Sequence, residues 1–186
     1  DNLKGGVGDD SLLGGIGDDT LSGESGDDTL FYDEGNDTLD GGLGTDVMDF
    51  STFSGGVVSS IYQGDVTISN DSNGVDVITN IEILSGSSDN DQLTGGSDSN
   101  TLFGQDGADI LRGNEGNDLL DGGAGNDTIR AGADVDTLYG GDGDDLVHSF
   151  DYATHDINLT NVTDGNTSFS VLPDGEATPS TITADG

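Results

Sequence analysis

A chain of 186 residues carrying 38 acidic and three basic side chains, for a net charge of −35, with 33 glycines and no cysteine, excludes several classes at once. Lys4, Arg112 and Arg130 cannot neutralise a phosphate backbone or an anionic bilayer, so no nucleic-acid partner and no direct membrane insertion are expected. Only 30% of residues are hydrophobic, no disulfide is available and no apolar run reaches membrane-span length, so something other than a thick core must order this chain.

From the first residue, aspartates recur every nine positions, at Asp1, Asp10, Asp19, Asp28, Asp37 and Asp46. Each is followed two residues later by an apolar side chain: Leu3, Leu12, Leu21, Leu30, Leu39 and Met48. One clean copy reads Gly14-Gly15-Ile16-Gly17-Asp18-Asp19-Thr20-Leu21-Ser22. This first block spans 1–49. Residues 50–85 keep aliphatic side chains in the eighth position, at Val57, Val66, Val75 and Leu84, but their sixth positions, Gly55, Gly64, Asn73 and Glu82, lose the aspartate pattern. The stretch reads as an acid-poor β segment continuing the same coil, with a separate small β insert as the rival. The second block, 86–148, resumes the period with Asp91, Asn100, Asp109, Asp118, Asp127, Asp136 and Asp145, and with Leu93, Leu102, Leu111, Leu120, Ile129, Leu138 and Val147. Across thirteen copies the sixth residue is Asp twelve times. Beyond His148 the register fails, because Asp156 and Gly165 fall where aliphatic residues belong, so 149–186 reads as a flanking or capping segment. Asp1 is no translation start, and the chain reads as part of a longer protein.

A period of nine implies a glycine-rich turn of six residues followed by a strand of three, of which only the central side chain points inward. Two turns and two strands close a coil of eighteen residues, placing Asp10 over Asp28 and Asp19 over Asp37. One inward aliphatic per nine residues is too little to offset an ordering cost of about 1 to 2 kcal/mol per residue, and stacked carboxylates add repulsion. A cation between them removes both objections. The turns offer only oxygen, which suits a hard ion with six to eight ligands. Calcium fits; magnesium demands stricter octahedral geometry, and zinc wants Cys or His.

The candidate ligands are the sixth-position side chains Asp1, Asp10, Asp19, Asp28, Asp37, Asp46, Asp91, Asn100, Asp109, Asp118, Asp127, Asp136 and Asp145. The turn glycines Gly6, Gly8, Gly15, Gly17, Gly26, Gly35, Gly42, Gly44, Gly107, Gly116, Gly123, Gly125, Gly141 and Gly143 join them through main-chain oxygens. Pairing each loop with the loop two copies on predicts Asp1–Asp19, Asp10–Asp28, Asp19–Asp37 and Asp28–Asp46, then Asp91–Asp109, Asn100–Asp118, Asp109–Asp127, Asp118–Asp136 and Asp127–Asp145. About six to nine Ca2+ ions are expected, and nine would bring the charge from −35 to about −17. Turn 32–37 lacks the leading glycine pair, turn 131–136 lacks its third glycine, and Asn100 is neutral, so those sites are expected to be weak or missing.

These copies resemble the RTX (repeats-in-toxin) calcium-binding nonapeptide, G-G-x-G-x-D-x-U-x, over roughly 1–49 and 86–148. The resemblance implies an all-β, right-handed parallel β-roll with calcium in its turns. It also implies type I secretion from Gram-negative bacteria and folding triggered by external calcium. The expected function is an extracellular calcium-binding module that serves as a structural, secretion-assisting part of a larger secreted protein. The alternatives are a calcium-dependent cell-surface interaction module, self-associating or contacting glycans through calcium, and the accessory domain of a secreted toxin or hydrolase.

Catalysis is not expected within the chain. His148 and His155 match no zinc-protease pattern, and no nucleophile-elbow motif occurs. Adjacent pairs such as Asp9 with Asp10 and Asp144 with Asp145 read as an outward charge beside an inward ligand. The aromatics, including Phe31, Tyr32, Phe50, Phe53 and Phe103, are expected on the surface, Phe31 and Phe103 as outward ninth-position residues. The Asn-x-Ser/Thr sequences at Asn36, Asn126, Asn158, Asn161 and Asn166 carry little weight, Asn36 and Asn126 being part of the repeat.

Overall fold

A computed structural model of the chain describes residues 1–68, 76–148, 157–158 and 168–169. Short strands alternate between two sheets. In the first block these are β1 (Asn2–Val7), β2 (Ser11–Leu13), β3 (Thr20–Ser25), β4 (Thr29–Phe31), β5 (Thr38–Leu43) and β6 (Val47–Asp49). Between the blocks lie β7 (Val58–Tyr62), β8 (Asp65–Ile68), β9 (Val77–Thr79) and β10 (Ile83–Ser85). The second block holds β11 (Gln92–Thr94), β12 (Thr101–Phe103), β13 (Ile110–Asn114), β14 (Leu119–Ala124), β15 (Thr128–Gly132), β16 (Asp136–Asp142) and β17 (Leu146–His148), followed by β18 (Ile157–Asn158) and β19 (Ser168–Phe169). No helix occurs among the described residues, and the fold is a parallel β-solenoid.

Parallel pairing joins strands eighteen residues apart, because each coil must place the same side chain above its counterpart for the small core to close. Leu3 pairs with Leu21 and Leu21 with Leu39 in one sheet; Leu12 pairs with Leu30 and Leu30 with Met48 in the other. Leu84 of β10 heads a ladder with Leu102, Leu120 and Leu138 of the second block, and Leu93, Leu111, Ile129 and Val147 form the other. The two rows meet between the sheets and make a single continuous strip of buried aliphatic side chains. Flanking strand residues face outward, as period-two geometry requires.

Residues 50–85 differ from a plain continuation of the coil. One sheet passes straight from β6 to β10, with Met48 opposite Leu84. In the other, β7 and β8 form an antiparallel hairpin turned at Gln63-Gly64 and wedged between β9 and β11. Val57, Val66 and Leu84 are buried as the nine-residue register expects, whereas Val75 lies outside the described residues and Ile78 takes the core position opposite Leu39. The physical cause is the turn sequence: without glycine-rich, acid-bearing turns at 55 and 64 the chain reverses instead of coiling. The reversal leaves a flaw, because Leu93 stands opposite Ser59, whose buried hydroxyl has no partner among the described residues.

Among the described residues past 148, strand partners are no longer eighteen residues apart. The two sheets nonetheless gain one short parallel strand each: Ile157 sits opposite Asp136, and Ser168 opposite Leu146. Apart from these two strands, the segment 149–186 lies outside the described residues.

The expectation of surface aromatics is corrected at two positions. Tyr32 and Phe50 are 1% and 0% exposed, with ring centroids 5.3 Å apart, and Phe53 packs on Tyr32 at 5.5 Å. Each of the first two occupies the first turn position, which faces the interior of the coil. Glycine normally stands there, so a ring fits only where the roll opens toward the inserted hairpin.

Candidate metal centres in the turns

Asp19, Asp28, Asp46, Asp109, Asp118, Asp127 and Asp145 divide their two oxygens between different tasks. Oδ1 accepts the main-chain N–H of the aspartate eighteen residues earlier. Asp10 N donates to Asp28 Oδ1 at 2.8 Å, Asp19 N to Asp37 Oδ1 at 2.9 Å, and Asp28 N to Asp46 Oδ1 at 2.8 Å. The second block repeats the pattern from Asp91 through Asp145, with distances of 2.7–2.9 Å. At Asp1 the donor to Asp19 Oδ1 is the terminal ammonium rather than an amide N–H. These loops therefore stack in the eighteen-residue register.

The second oxygen is the one that needs explaining. Oδ2 of Asp10, Asp19, Asp28, Asp46, Asp109, Asp118, Asp127 and Asp145 is buried and has no hydrogen-bond partner among the described residues. A buried ionised oxygen without a partner costs several kcal/mol, so eight in one small roll cannot persist as bare anions. Space for a partner is preserved by the glycine that begins most of these turns. A Cβ on Gly23 would lie 2.2 Å from Asp28 Oδ2 and 2.3 Å from the Gly41 carbonyl oxygen; one on Gly104 would lie 2.4 Å from Asp109 Oδ2 and 2.3 Å from the Gly122 carbonyl oxygen. Carboxylate and neighbouring carbonyl thus converge on a gap that any other residue would fill. Oxygen donors alone, and an uncompensated negative charge, fit a hard cation.

Electrostatics agree. Burial pushes Asp109 and Asp118 up to about 7, and Asp37 and Asp127 up to about 6, against the lowering effect of the N–H that each accepts; neighbouring carboxylates add to the rise. Burial raises Asp46, Asp91 and Asp145 as well. These groups hold protons too tightly because nothing else offsets their charge.

Most of the predicted turn glycines adopt positive φ, from Gly6 and Gly8 to Gly141 and Gly143. At four substituted second or fourth positions the residue keeps the same conformation, Glu24 (φ 73°), Gln105 (77°), Asn114 (78°) and Asp134 (75°), whereas Ser87, Asp89 and Asp98 do not. Turn 32–37 is different, since neither Asp33 nor Gly35 has positive φ. Two further turns close on themselves. Ser87 donates its N–H to Asp91 Oδ2 and its hydroxyl to Asp91 Oδ1, and Gly96 N donates to Asn100 Oδ1, all within four residues. Asp91 and Asn100 therefore keep their stacking register without an orphaned oxygen.

Three features escaped the sequence reading. Asp76 and Glu82 extend the first block's ladder, accepting from Asp37 N at 2.8 Å and Asp46 N at 2.9 Å. Across the insert, Val57 N donates to Asp91 Oδ1. A second ladder also runs in the opposite sense, with fifth-position side chains accepting from the N–H eighteen residues later: Asp27 N to Asp9 Oδ1, Thr45 N to Asp27 Oδ1, Ala108 N to Asn90 Oδ1 and Val135 N to Asn117 Oδ1. Its signal was visible in the sequence as a run of short acceptors, Asp9, Asp18, Asp27, Asn36, Asn90, Ser99, Asn117 and Asn126, at that position.

Comparison with solved structures finds an extracellular lipase, LipA, from Serratia marcescens, 18% identical, with a TM-score of 0.36. The match covers 89% of this chain and 36% of the lipase, so the chain spans about a third of that protein. No curated protein matches. The model of the RTX calcium-binding nonapeptide repeat matches four times, at residues 1–30, 33–52, 85–120 and 112–147. With more than half its length matched and the repeat geometry in place, this chain belongs to the RTX calcium-binding nonapeptide repeat family.

Proposed function

We propose that the chain is an extracellular calcium-dependent folding module, a structural and secretion-assisting part of a larger secreted bacterial protein. The observation that carries this reading is the set of eight Oδ2 atoms that are buried and have no partner among the described residues. Calcium, when bound, supplies positive charge and six to eight oxygen coordination positions. The chain's own residues do the rest: Oδ1 of each sixth-position aspartate holds the coils in register, Oδ2 and the turn carbonyls face the gap, and the first glycine keeps it open. Without compensation, the −35 charge favours an expanded chain, which suits passage through a narrow export channel at low cytosolic calcium.

In this reading blocks 1–49 and 86–148 hold about six to nine ions, and 50–85 is a calcium-poor connector. The reading assigns these residues no catalytic role. Small-angle scattering in chelator and in millimolar calcium tests it. The expected outcome is a large fall in radius of gyration on adding calcium; an equally compact chain in chelator at neutral pH refutes the proposal.

A further inference from the structure

Turn 32–37 departs from the repeat in a way that points to a second kind of site. Its second residue is Asp33 rather than glycine, and neither Asp33 nor Gly35 takes the positive φ found at those positions in most of the turns. In consequence a side chain enters the gap instead. Asp19, Asp33 and Asp37 each place a carboxylate oxygen within 4.8 Å of the others. Asp33 Oδ2 is held there by the N–H of Gly15 at 2.6 Å. Independently, the Asp19 side chain is only 3% exposed and its Oδ2 has no partner among the described residues. Asp76 stands on the far side of Asp37, accepting the Asp37 N–H with one oxygen and the Tyr32 hydroxyl with the other at 2.9 Å.

We propose that this cluster is a carboxylate-rich cation site that fills before the other turns, taking calcium, or a trivalent lanthanide in its place, more tightly than the carbonyl-lined sites do. The sequence alone argues the reverse, because the missing glycine pair looks like a damaged repeat. The geometry shows an exchange of ligand type, in which Asp33 brings a full negative charge where other turns offer a carbonyl dipole. Affinity at oxygen-lined calcium sites rises with the number of charged ligands. This inference rests on the calcium-module reading above and narrows it to one turn. Tyr32, bonded to Asp76 beside the cluster, is an internal antenna for terbium.

The test is a Tb3+ titration of the whole chain with tyrosine excitation, on the native sequence, Asp33→Gly, Asp33→Asn and Tyr32→Phe. Asp33→Gly restores the usual repeat residue, and Asp33→Asn keeps the shape while removing the charge. The native chain is expected to show an early phase of about one ion, weakened about tenfold or more in both Asp33 variants and dark in Tyr32→Phe. Equilibrium dialysis of calcium at saturation runs alongside. If the chain binds several calcium ions but the Asp33 variants keep the early phase unchanged, this inference fails and the module reading stands. If the native chain binds no calcium at all, both fail.

Discussion

Asp109 donates its main-chain N–H to Asp127 Oδ1 at 2.8 Å, while Asp127 Oδ2, on the same carboxylate, is buried without a partner among the described residues. One oxygen sets the register of the stack and the other creates the demand for a cation. Coupling both tasks in one side chain ties coil stacking to charge compensation, so neither is complete without the other.

Asp118 tests this coupling, since its Oδ1 accepts from Asn100 N and its own N–H donates to Asp136 Oδ1. Asp118→Ala is expected to lower calcium stoichiometry by up to two ions and to raise the calcium midpoint of folding. Asp118→Asn keeps an acceptor for the Asn100 N–H and should lose charge compensation with less damage to stacking. Isothermal titration calorimetry separates them, and an unchanged stoichiometry for Asp118→Ala contradicts the pairing.

Acid is expected to substitute in part for calcium. Asp109 and Asp118 titrate near 7 and Asp37 and Asp127 near 6 in the fold, above the ordinary carboxylate value of 3.8. Between these values the folded state binds more protons than the unfolded one, so metal-free stability rises as pH falls through about 7 to about 4 and is lost as pH rises through the folded values. Calcium must displace those protons, so its apparent affinity falls over the same window. Circular dichroism in chelator should show β structure growing on acidification; a β signal that falls instead contradicts the burial assignment.

Gly104→Ala places a methyl group 2.3 Å from the Gly122 carbonyl oxygen and 2.4 Å from Asp109 Oδ2. Relief requires main-chain movement, and the expected cost is about 1 to 3 kcal/mol, together with loss of the ion between turns 104–109 and 122–127. Calcium stoichiometry and thermal unfolding of the variant read both effects. Retention of the full ion count would show that the gap is not the binding position.

Leu102 has no exposed surface and lies between Leu84 and Leu120 in its ladder. Leu102→Ala is expected to cost about 2 to 5 kcal/mol and to raise the calcium midpoint without removing an ion. Because each coil contacts only its neighbours, hydrogen exchange should quicken first in the adjacent coils and last at β1.

The period of nine made the solenoid, its inward leucines and the loop pairings legible, because each follows from a residue type repeated at fixed spacing. Asp76 was not legible, because the hairpin inserted between the blocks places it 39 residues from Asp37, off the nine-residue register, whereas Glu82 keeps that register 36 residues from Asp46 and its part in the ladder was hidden by the loss of the aspartate pattern around it. The burial of Tyr32 and Phe50 was hidden for a related reason. The first turn position faces inward, but glycine occupies it almost everywhere and leaves no apolar signal. The closed turn at Ser87 and Asp91 shows a limit of pattern reading too, since an aspartate in perfect register satisfies itself with a local hydroxyl and N–H.

The most direct test of the central claim is a calcium titration of the purified chain at neutral pH, followed by far-ultraviolet circular dichroism, with magnesium as the control. The account predicts little β signal in chelator and a cooperative rise between roughly micromolar and millimolar calcium, without an equivalent rise in magnesium. A chain already fully folded in chelator at neutral pH, and indifferent to calcium, would contradict it.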